Sequence, residues 1–497
     1  MSEKQEESYN HILKYTGIFG GVQGLNILVS LVRNKFVAMI LGPSGMGLVS
    51  LFNSTVLFIS QATNLGISFS AVRHVSELFD QGDEQRITHF IRVVRSWSLL
   101  TALLGMLVCI LAGPKLSSST FSWGDHTLHF MMLSPAIGML AITGGESAIL
   151  KGARQLRPLA IIQVGTILAA LVISLPLYYF FGQTAIVPVI VLMALVTMLL
   201  TVRHSYRLYP LHLFGERGIL GEGMEMVRLG VAFVLAAVFG SGSEMLIRAY
   251  LNVAGELDIV GLYNAGYMIT MTYGGMVFSA METDYFPRLS AIGNDARQRN
   301  EVINRQCEVT LLIIAPMLAA LMVALPVIIP LLFSREFMPV VGMCHVTLLS
   351  MYFRAIYLPI GYISLARGDS WTYLVLEAIS YICIVILVLV GFRWGGITGT
   401  GYGLALGNVL DVVVTASYAS FRYGYRPSGS VINYFLIQFF LGLVIFLMTF
   451  VDNLVIYWVA GCLLTFVSFS VTLYILRQKS SLWNALVKKF RAKIGRE

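Results

Sequence analysis

Fourteen apolar stretches run along the 497-residue chain, and each is long enough to cross a bilayer as a helix, which takes about 20 apolar residues. They fall at 16–41, 46–72, 88–112, 127–150, 158–181, 184–202, 225–250, 259–284, 306–333, 338–364, 370–392, 396–420, 431–451 and 453–476. Their apolar positions are continuous rather than alternating, so they read as helices, which satisfy their own backbone in lipid, and not as barrel strands. The expected fold is an all-α polytopic membrane protein with 14 transmembrane helices.

The pattern also repeats. Arg33 and Arg248 lie late in the opening span of a block, 215 residues apart. Gly47-Leu48 and Gly261-Leu262 open the next span, 214 apart, and Arg73 and Arg288 close it, 215 apart. Lys151-Gly152 and Arg367-Gly368 precede the fifth span, 216 apart. Four pairs in order at a nearly constant offset predict an internal duplication. Six spans per copy is an even number, so the copies share one orientation and form a parallel pseudo-twofold repeat about the membrane normal. The expected organisation is an N-terminal lobe at 1–212, a C-terminal lobe at 213–425, and an appended pair of helices with a basic tail at 426–497.

Charge then fixes orientation. The chain carries +8, which by itself would suit nucleic acid, but the distribution points to a membrane. Of the 34 Lys and Arg, 27 are assigned to the N-terminus, the even-numbered connections and the tail. Three (Lys115, Arg335, Arg393) fall in odd-numbered connections, and four (Arg33, Lys35, Arg248, Arg354) inside spans, with Arg92, Arg95 and Arg228, towards the ends of theirs, counted with the connections. Basic residues gather on the cytoplasmic side, so both termini are expected in the cytoplasm, with no nucleic acid as partner. The polar N-terminus shows no cleavage site, so targeting is expected from the first span. In the tail, Leu482, Leu486, Phe490 and Ile494 alternate with Lys488, Lys489, Arg491 and Lys493. They predict either a basic amphipathic helix on the inner leaflet or an extension of the last span into water.

Several patterns carry no chemistry. Five scattered cysteines have neither disulfide nor metal spacing, and the eight histidines form no metal motif. GPSGMG at 42–47 lacks the lysine of a phosphate loop, and GTGYG at 399–403 reads as close helix packing. No cofactor, metal or catalytic residue is expected, and the chain is not read as an enzyme.

The polar residues inside the spans are the functional candidates, because a charge at the bilayer centre costs about 2.5–3.5 kcal/mol on insertion scales. Gln23, Asn26, Ser30 and Arg33 form one stripe at helical spacing. Asn53, Ser60, Asn64 and Ser68 form another, with Gln61 beside it. Two such faces imply either an aqueous cavity or a dry polar seam. Glu244 and Arg248, four apart, can pair. Arg354, Glu146, Glu377 and Asp411 lie deep, and a carboxylate there can pair with Arg354, bind a coupling cation or take a proton. At least three basic residues in a cavity favour an anionic substrate.

These residues also carry a resemblance. KFVAMILGPSGMGLVSLFNSTVLFISQATNLGISFSAVRHVSE, Lys35 to Glu77, resembles the opening hairpin of the O-antigen flippases (Wzx-type) of the MOP flippase superfamily. GLYNAGYMITMTYGGMVFSAMETDYFPRLS, Gly261 to Ser290, is similar to that family's eighth helix, particularly in the subgroup of the enterobacterial common antigen flippase. The resemblance implies two six-helix lobes around a cavity and passage of undecaprenyl-pyrophosphate-linked oligosaccharide between leaflets. Membrane lipids and polysaccharide polymerase machinery are the implied partners. It points to Lys35 as a cavity residue, whereas periodicity points to Arg33. The two sit about 200° apart around a helix at 100° per residue, so both stay candidates. The alternatives are a cation-coupled multidrug or metabolite antiporter of the MATE branch, which wants unpaired carboxylates in its cavity, and a membrane-embedded glycosyltransferase or polymerase, which wants paired carboxylates and large outside loops.

Overall fold

The structure, a computed structural model, describes residues 3–121, 123–211, 219–275, 278, 285–286, 288–292 and 295–479. Over 3–23, and at 80, 220, 225, 229 and 232, it describes the backbone alone. The tail from 480, Glu216 and Arg217, and the side chain of Gln23 therefore lie outside the described residues.

Every described element is helical. In chain order these are α1 (Glu3–Thr63), α2 (Ile67–Gln81), α3 (Glu84–Thr120), α4 (Thr127–Gly152), α5 (Leu156–Phe181) and α6 (Ile186–Leu208). They are followed by α7 (Ile219–Tyr267), α8 (Ala296–Leu332), α9 (Val341–Ala366), α10 (Ser370–Tyr423), α11 (Gly429–Met448) and α12 (Leu454–Lys479). Among the described residues, ten segments are long and apolar enough to cross a membrane. Their outward faces agree. Leu111, Phe180, Val455 and Phe466 are at least 70% exposed, as are Trp394 at 89% and Phe421 at 92%. In water such a surface would aggregate; in lipid it is the correct solvent. The chain is a multi-pass membrane protein.

Four of the ten segments are of double length and broken near the middle. Gly24–Thr63 breaks at Gly42, Phe233–Tyr273 at Glu256, Ser370–Tyr423 at Gly395 and Gly396, and Leu156–Leu208 at a short 3₁₀ turn beginning at Gly182. These breaks show the repeat in the backbone. Gly42 and Glu256 have φ of 64° and 74°, Arg154 and Gly368 of 54° and 72°, and Gly182 and Gly396 of 57° and 55°. Each pair is 214 residues apart. Gly42 and Glu256 share an extended left-handed conformation, with ψ of −173° and 168°, that is natural for glycine and strained by about 1–3 kcal/mol for any other residue.

One difference from the expected spans concerns the second polar stripe. Helix α1 stops at Thr63, Leu65 and Gly66 take positive φ, and α2 restarts at Ile67. Asn64 and Ser68 thus do not continue the face of Asn53. The Asn64 amide instead donates to the Ser68 hydroxyl across the turn.

The described chain forms two compact units, one of residues up to Asn264 with Leu331–Phe337, the other of Ala265–Pro330 and residues from Met338. In the first unit α3 packs on α4, α4 on α6 and α2, and α1 on α5. A core of Ile67, Val75, Phe90, Val94, Trp97 and Ile149 joins α2, α3 and α4. Helix α7 belongs to this unit up to Asn264 because its first half packs there. The Trp97 indole donates to the Ile219 carbonyl at 3.0 Å, and Phe69 stacks on Phe233 at 4.1 Å. In the second unit α9 packs on α10 and α11, and α11 on α12. Gln438, fully buried, holds this end together. It accepts from Ser468 at 2.7 Å and donates to Thr472 at 3.1 Å, and Thr472 donates to the Leu312 carbonyl.

Candidate functional site

Two cavities matter, one in each unit. The first, about 330 Å³, lies inside the first unit. Asn26, Ser30 and Arg33 reach it from α1 before the break and Asn53 from α1 after it, as the first stripe requires. Helix α5 adds Thr166, Ser174 and Tyr178, and α6 adds Thr197. Ser30 donates to Asn26 at 3.2 Å. Arg33 is the charged residue of this lining, and both its Nε and the Thr166 hydroxyl are buried without a hydrogen-bond partner. A buried polar group in that condition is unfavourable unless something else meets it. The set suits a small ligand rich in hydroxyls that carries a negative charge. Gln61 and Asn64 are not in this lining.

Lys35 points elsewhere. Its ammonium donates to the Phe333 carbonyl, so of the two rival cations on the opening helix it is Arg33 that lines the cavity. Arg248 is also held away from it. Its guanidinium donates from Nε to Ser50 at 2.7 Å, from Nη2 to Asn264 at 3.4 Å and from Nη1 to Glu244 at 3.0 Å. The expected Glu244–Arg248 pair is therefore present, with Glu244 36% exposed and Arg248 6%.

The second cavity, about 80 Å³, lies inside the second unit. Glu377 and Ser380 enter from α10 before its break, Asp411 and Thr415 after it, and Tyr357 and Tyr373 close the sides. Tyr381 and Tyr373 lie near Glu377 and Ser380 near Asp411, while Asp411 Oδ2 is buried without a hydrogen-bond partner. Arg354 is an electrostatic neighbour of both carboxylates. It contacts the Met271 sulfur at 3.2 Å and lies over the Phe278 ring at 5.7 Å. The two cavities are repeat equivalents: Thr166 and Ser380, and Thr197 and Asp411, are each 214 residues apart.

Glu146 is in neither cavity. Both its oxygens are taken, by Arg95 at 2.8 and 3.3 Å and by the Ser205 hydroxyl. Arg95, 4% exposed, also donates to the Tyr209 and Pro210 carbonyls at 2.9 and 2.8 Å, closing the end of α6. The assignment of Arg95 to a connection is corrected here, because it lies inside α3. The signal was available, since the predicted span 88–112 contains it; its partner, 51 residues on, was not. In the second unit the same task falls to Arg299 and Asn304, which donate to the Tyr423 and Arg426 carbonyls at 2.7 and 2.9 Å. No group of three or more metal-ligating side chains occurs among the described residues.

Residues 36–342 match a family described as polysaccharide biosynthesis protein, a stretch longer than half the chain. Among solved structures the fold is similar to the lipid II flippase MurJ in an inward closed conformation, with TM-score 0.67 and 16% identity over 93% of this chain and 99% of that one. It is also similar to an inward-facing multidrug resistance MATE transporter of the MOP superfamily, with TM-score 0.65 and 16% identity over 80% and 94%. A third is a MOP superfamily transporter from Pyrococcus furiosus, described as having a binding pocket of reversed polarity, with TM-score 0.57 and 16% identity over 82% and 93%. At this identity the likeness shows the fold alone. No curated protein matches by sequence.

Proposed function

The chain belongs to the polysaccharide biosynthesis protein family, and from that membership we propose that it flips undecaprenyl-pyrophosphate-linked oligosaccharide from the inner to the outer leaflet of the bacterial cytoplasmic membrane. The cargo would feed O-antigen or another surface polysaccharide. The observation that carries the reading is Arg33, whose buried Nε has no partner in a cavity lined by amides and hydroxyls. A guanidinium offers a planar fork to phosphate or carboxylate, and Asn26, Asn53 and Thr166 match sugar hydroxyls. An apolar groove of about 640 Å³ between α8 and α12, with Met317, Trp458 and Phe466 in its walls, suits a polyprenyl chain.

In this reading the lobes are residues 1–212 and 213–425, followed by 426–497. Each broken helix is two crossings, for fourteen in all, and the cavity is exposed to each side in turn. Glu377 and Asp411 are the coupling groups, taking a proton or a cation. Membrane lipids surround the cargo, and the polysaccharide polymerase machinery receives it. Both termini are cytoplasmic. A single cysteine at Ser118 in a cysteine-free background should then react with an impermeant thiol reagent in intact cells, and one at Gln298 only after permeabilisation; the reverse pattern would overturn the orientation.

The acidic second cavity favours one other reading, a cation-coupled drug or metabolite antiporter. Gene deletion separates the two. A flippase mutant accumulates lipid-linked sugar on the cytoplasmic leaflet and loses surface polysaccharide. An antiporter mutant keeps the polysaccharide and loses tolerance to cationic drugs, and that result would reject the flippase.

A further inference from the structure

We propose that the turns ending the first crossing of each repeat form a self-complementary outer seal, and that Lys35 and Arg248 are its latches rather than ligands of the cargo. The proposal rests on the alternating-exposure reading above.

Residues 214 apart meet one another at this seal. The Ser44 hydroxyl donates to the Asp258 carboxylate, and the Ser50 hydroxyl donates to Asn264 Oδ1 at 2.9 Å. Gly47 faces Leu257, and its repeat equivalent Gly261 faces Pro43, the equivalent of Leu257. A contact in which equivalent positions touch each other reciprocally is isologous, the signature of a twofold axis passing through it. It is tight as well as symmetric. A Cβ on Gly47 would stand 2.3 Å from the Leu257 carbonyl oxygen, and one on Gly261 would stand 1.9 Å from that of Pro43. Both obstacles are backbone atoms, which cannot swing aside.

Around this centre the polar groups cross from one repeat to the other. Arg248 bridges Ser50 and Asn264, the two halves of one equivalent pair. Two clasps lie beyond it. The Lys35 ammonium donates to the Phe333 carbonyl just past α8, and the Asn252 amide donates to the Thr120 carbonyl at the end of α3, at 2.6 Å. In each clasp the opening helix of one repeat holds the end of the third helix of the other. The Lys35 bond is charge-assisted, and such bonds are the strong ones. Because the glycine contact has no intermediate spacing, the seal is a two-state element, closed or parted as a whole. A protein that releases cargo outward has to part it, and one that loads cargo from inside needs it shut.

The test uses the full-length protein in intact cells, in a cysteine-free background with one reporter cysteine at Asn53, one helical turn inward of Ser50. An impermeant maleimide added outside should label it slowly. Adding Gly261→Ala or Arg248→Gln should raise the rate about tenfold, the effect of losing one well-formed hydrogen bond or its equivalent in packing. Lys35→Gln should raise it less. Arg248→Lys, which keeps the charge, should stay near the parent rate. Rates are normalised to membrane protein and to labelling of a Ser118 cysteine, so a misfolded variant is recognised by a change at both sites. In parallel, cysteines at Ser44 and Asp258 joined by a short bifunctional reagent with a reducible spacer should stop polysaccharide export until the spacer is reduced. Unchanged labelling in Gly261→Ala and Arg248→Gln, or full export by the cross-linked pair, would overturn the seal. Labelling needs no cargo. A seal that opens as described in a protein whose deletion leaves polysaccharide intact would sink the flippase reading alone.

Discussion

The two cavities occupy equivalent places in a duplicated fold, yet their charges are opposite. In the first unit Arg33 is the charged residue among amides and hydroxyls. In the second, Glu377 and Asp411 sit among tyrosines. Position by position, Gln163 and Thr197 in the first repeat become Glu377 and Asp411 in the second, and Leu140 becomes Arg354. The basic group is not a mirror of these: at the 214-residue register of the backbone breaks the equivalent of Arg33 is Ile247, so the expected pairing of Arg33 with Arg248 is one residue out of register. Duplication kept the backbone breaks and freed the side chains that line the cavities. In the proposed reading one cavity meets an anion and the other holds carboxylates whose charge a cation or proton can balance. In a transporter this separates cargo binding from coupling.

The sharpest way to break the comparison is to move a charge across it. Thr197→Asp gives the first cavity the carboxylate that the second has at Asp411. It should pair with Arg33 and abolish export, as should Arg33→Gln, with a loss of about 100-fold or more from an uncompensated charged contact. Arg33→Lys should keep a fraction of activity because charge remains but the fork is lost. Surface polysaccharide in a deletion strain, normalised to membrane protein, measures all three. Full export by Thr197→Asp would mean that cargo does not meet Arg33.

Next in size is the clasp at the end of α6. Arg95→Ala leaves Glu146 buried and uncompensated, and breaking such a pair costs about 3–5 kcal/mol. Membrane abundance should collapse, and Arg95→Met with Glu146→Gln should recover much of it. Asn304→Ala in the second unit removes three neutral hydrogen bonds, with the Arg426 carbonyl, the Tyr425 hydroxyl and the Ser428 amide, each worth about 1 kcal/mol, and should lower abundance less than Arg95→Ala. Equal losses would show that the ionic character of the first clasp is immaterial.

Glu377→Gln and Asp411→Asn should lower export in energised cells by about tenfold, the scale of a coupling free energy of 1–3 kcal/mol. Binding of lipid-linked sugar to purified protein should be retained. If binding falls with export, the division of labour between the cavities fails. The smallest effect concerns the backbone. Glu256→Gly should raise thermal stability by about 1 kcal/mol, by relieving a conformation its equivalent Gly42 adopts freely, whereas Gly42→Ala should lower it by about 1–3 kcal/mol. Thermal unfolding in detergent reads both.

Much of this was legible in the residues because helices impose a short period. Asn26, Ser30 and Arg33 share a face at steps of four and three, and they do line one cavity. The Glu244–Arg248 pair needs only one helical turn. The offset of 214 to 216 read from a few glycines and basic residues is 214 at the paired backbone breaks, where the glycine pair and not the basic pairs is in register. What stayed hidden needed either a tertiary partner or a turn within an apolar run. Nothing local links Arg95 to Glu146, or Lys35 to Phe333, nearly 300 residues away. The stop after Thr63 was masked by the apolar residues on both sides, although Asn64 and Gly66 are turn formers. Periodicity put Arg33 and Lys35 on different faces but could not say what Lys35 does instead.

The exposed tryptophans of α10 carry one more consequence. Trp371 stands at the first turn of the helix and Trp394 beside its break, 64% and 89% exposed. Twenty-three residues of helix between them span about 35 Å. Indole rings settle at the two faces of a membrane, whose hydrocarbon core is about 30 Å thick. The helix therefore carries its own gauge of bilayer thickness. In lipids with markedly shorter or longer chains one ring must leave its preferred depth or the helix must tilt, so the emission of these two tryptophans should report which membrane the protein is built to fit.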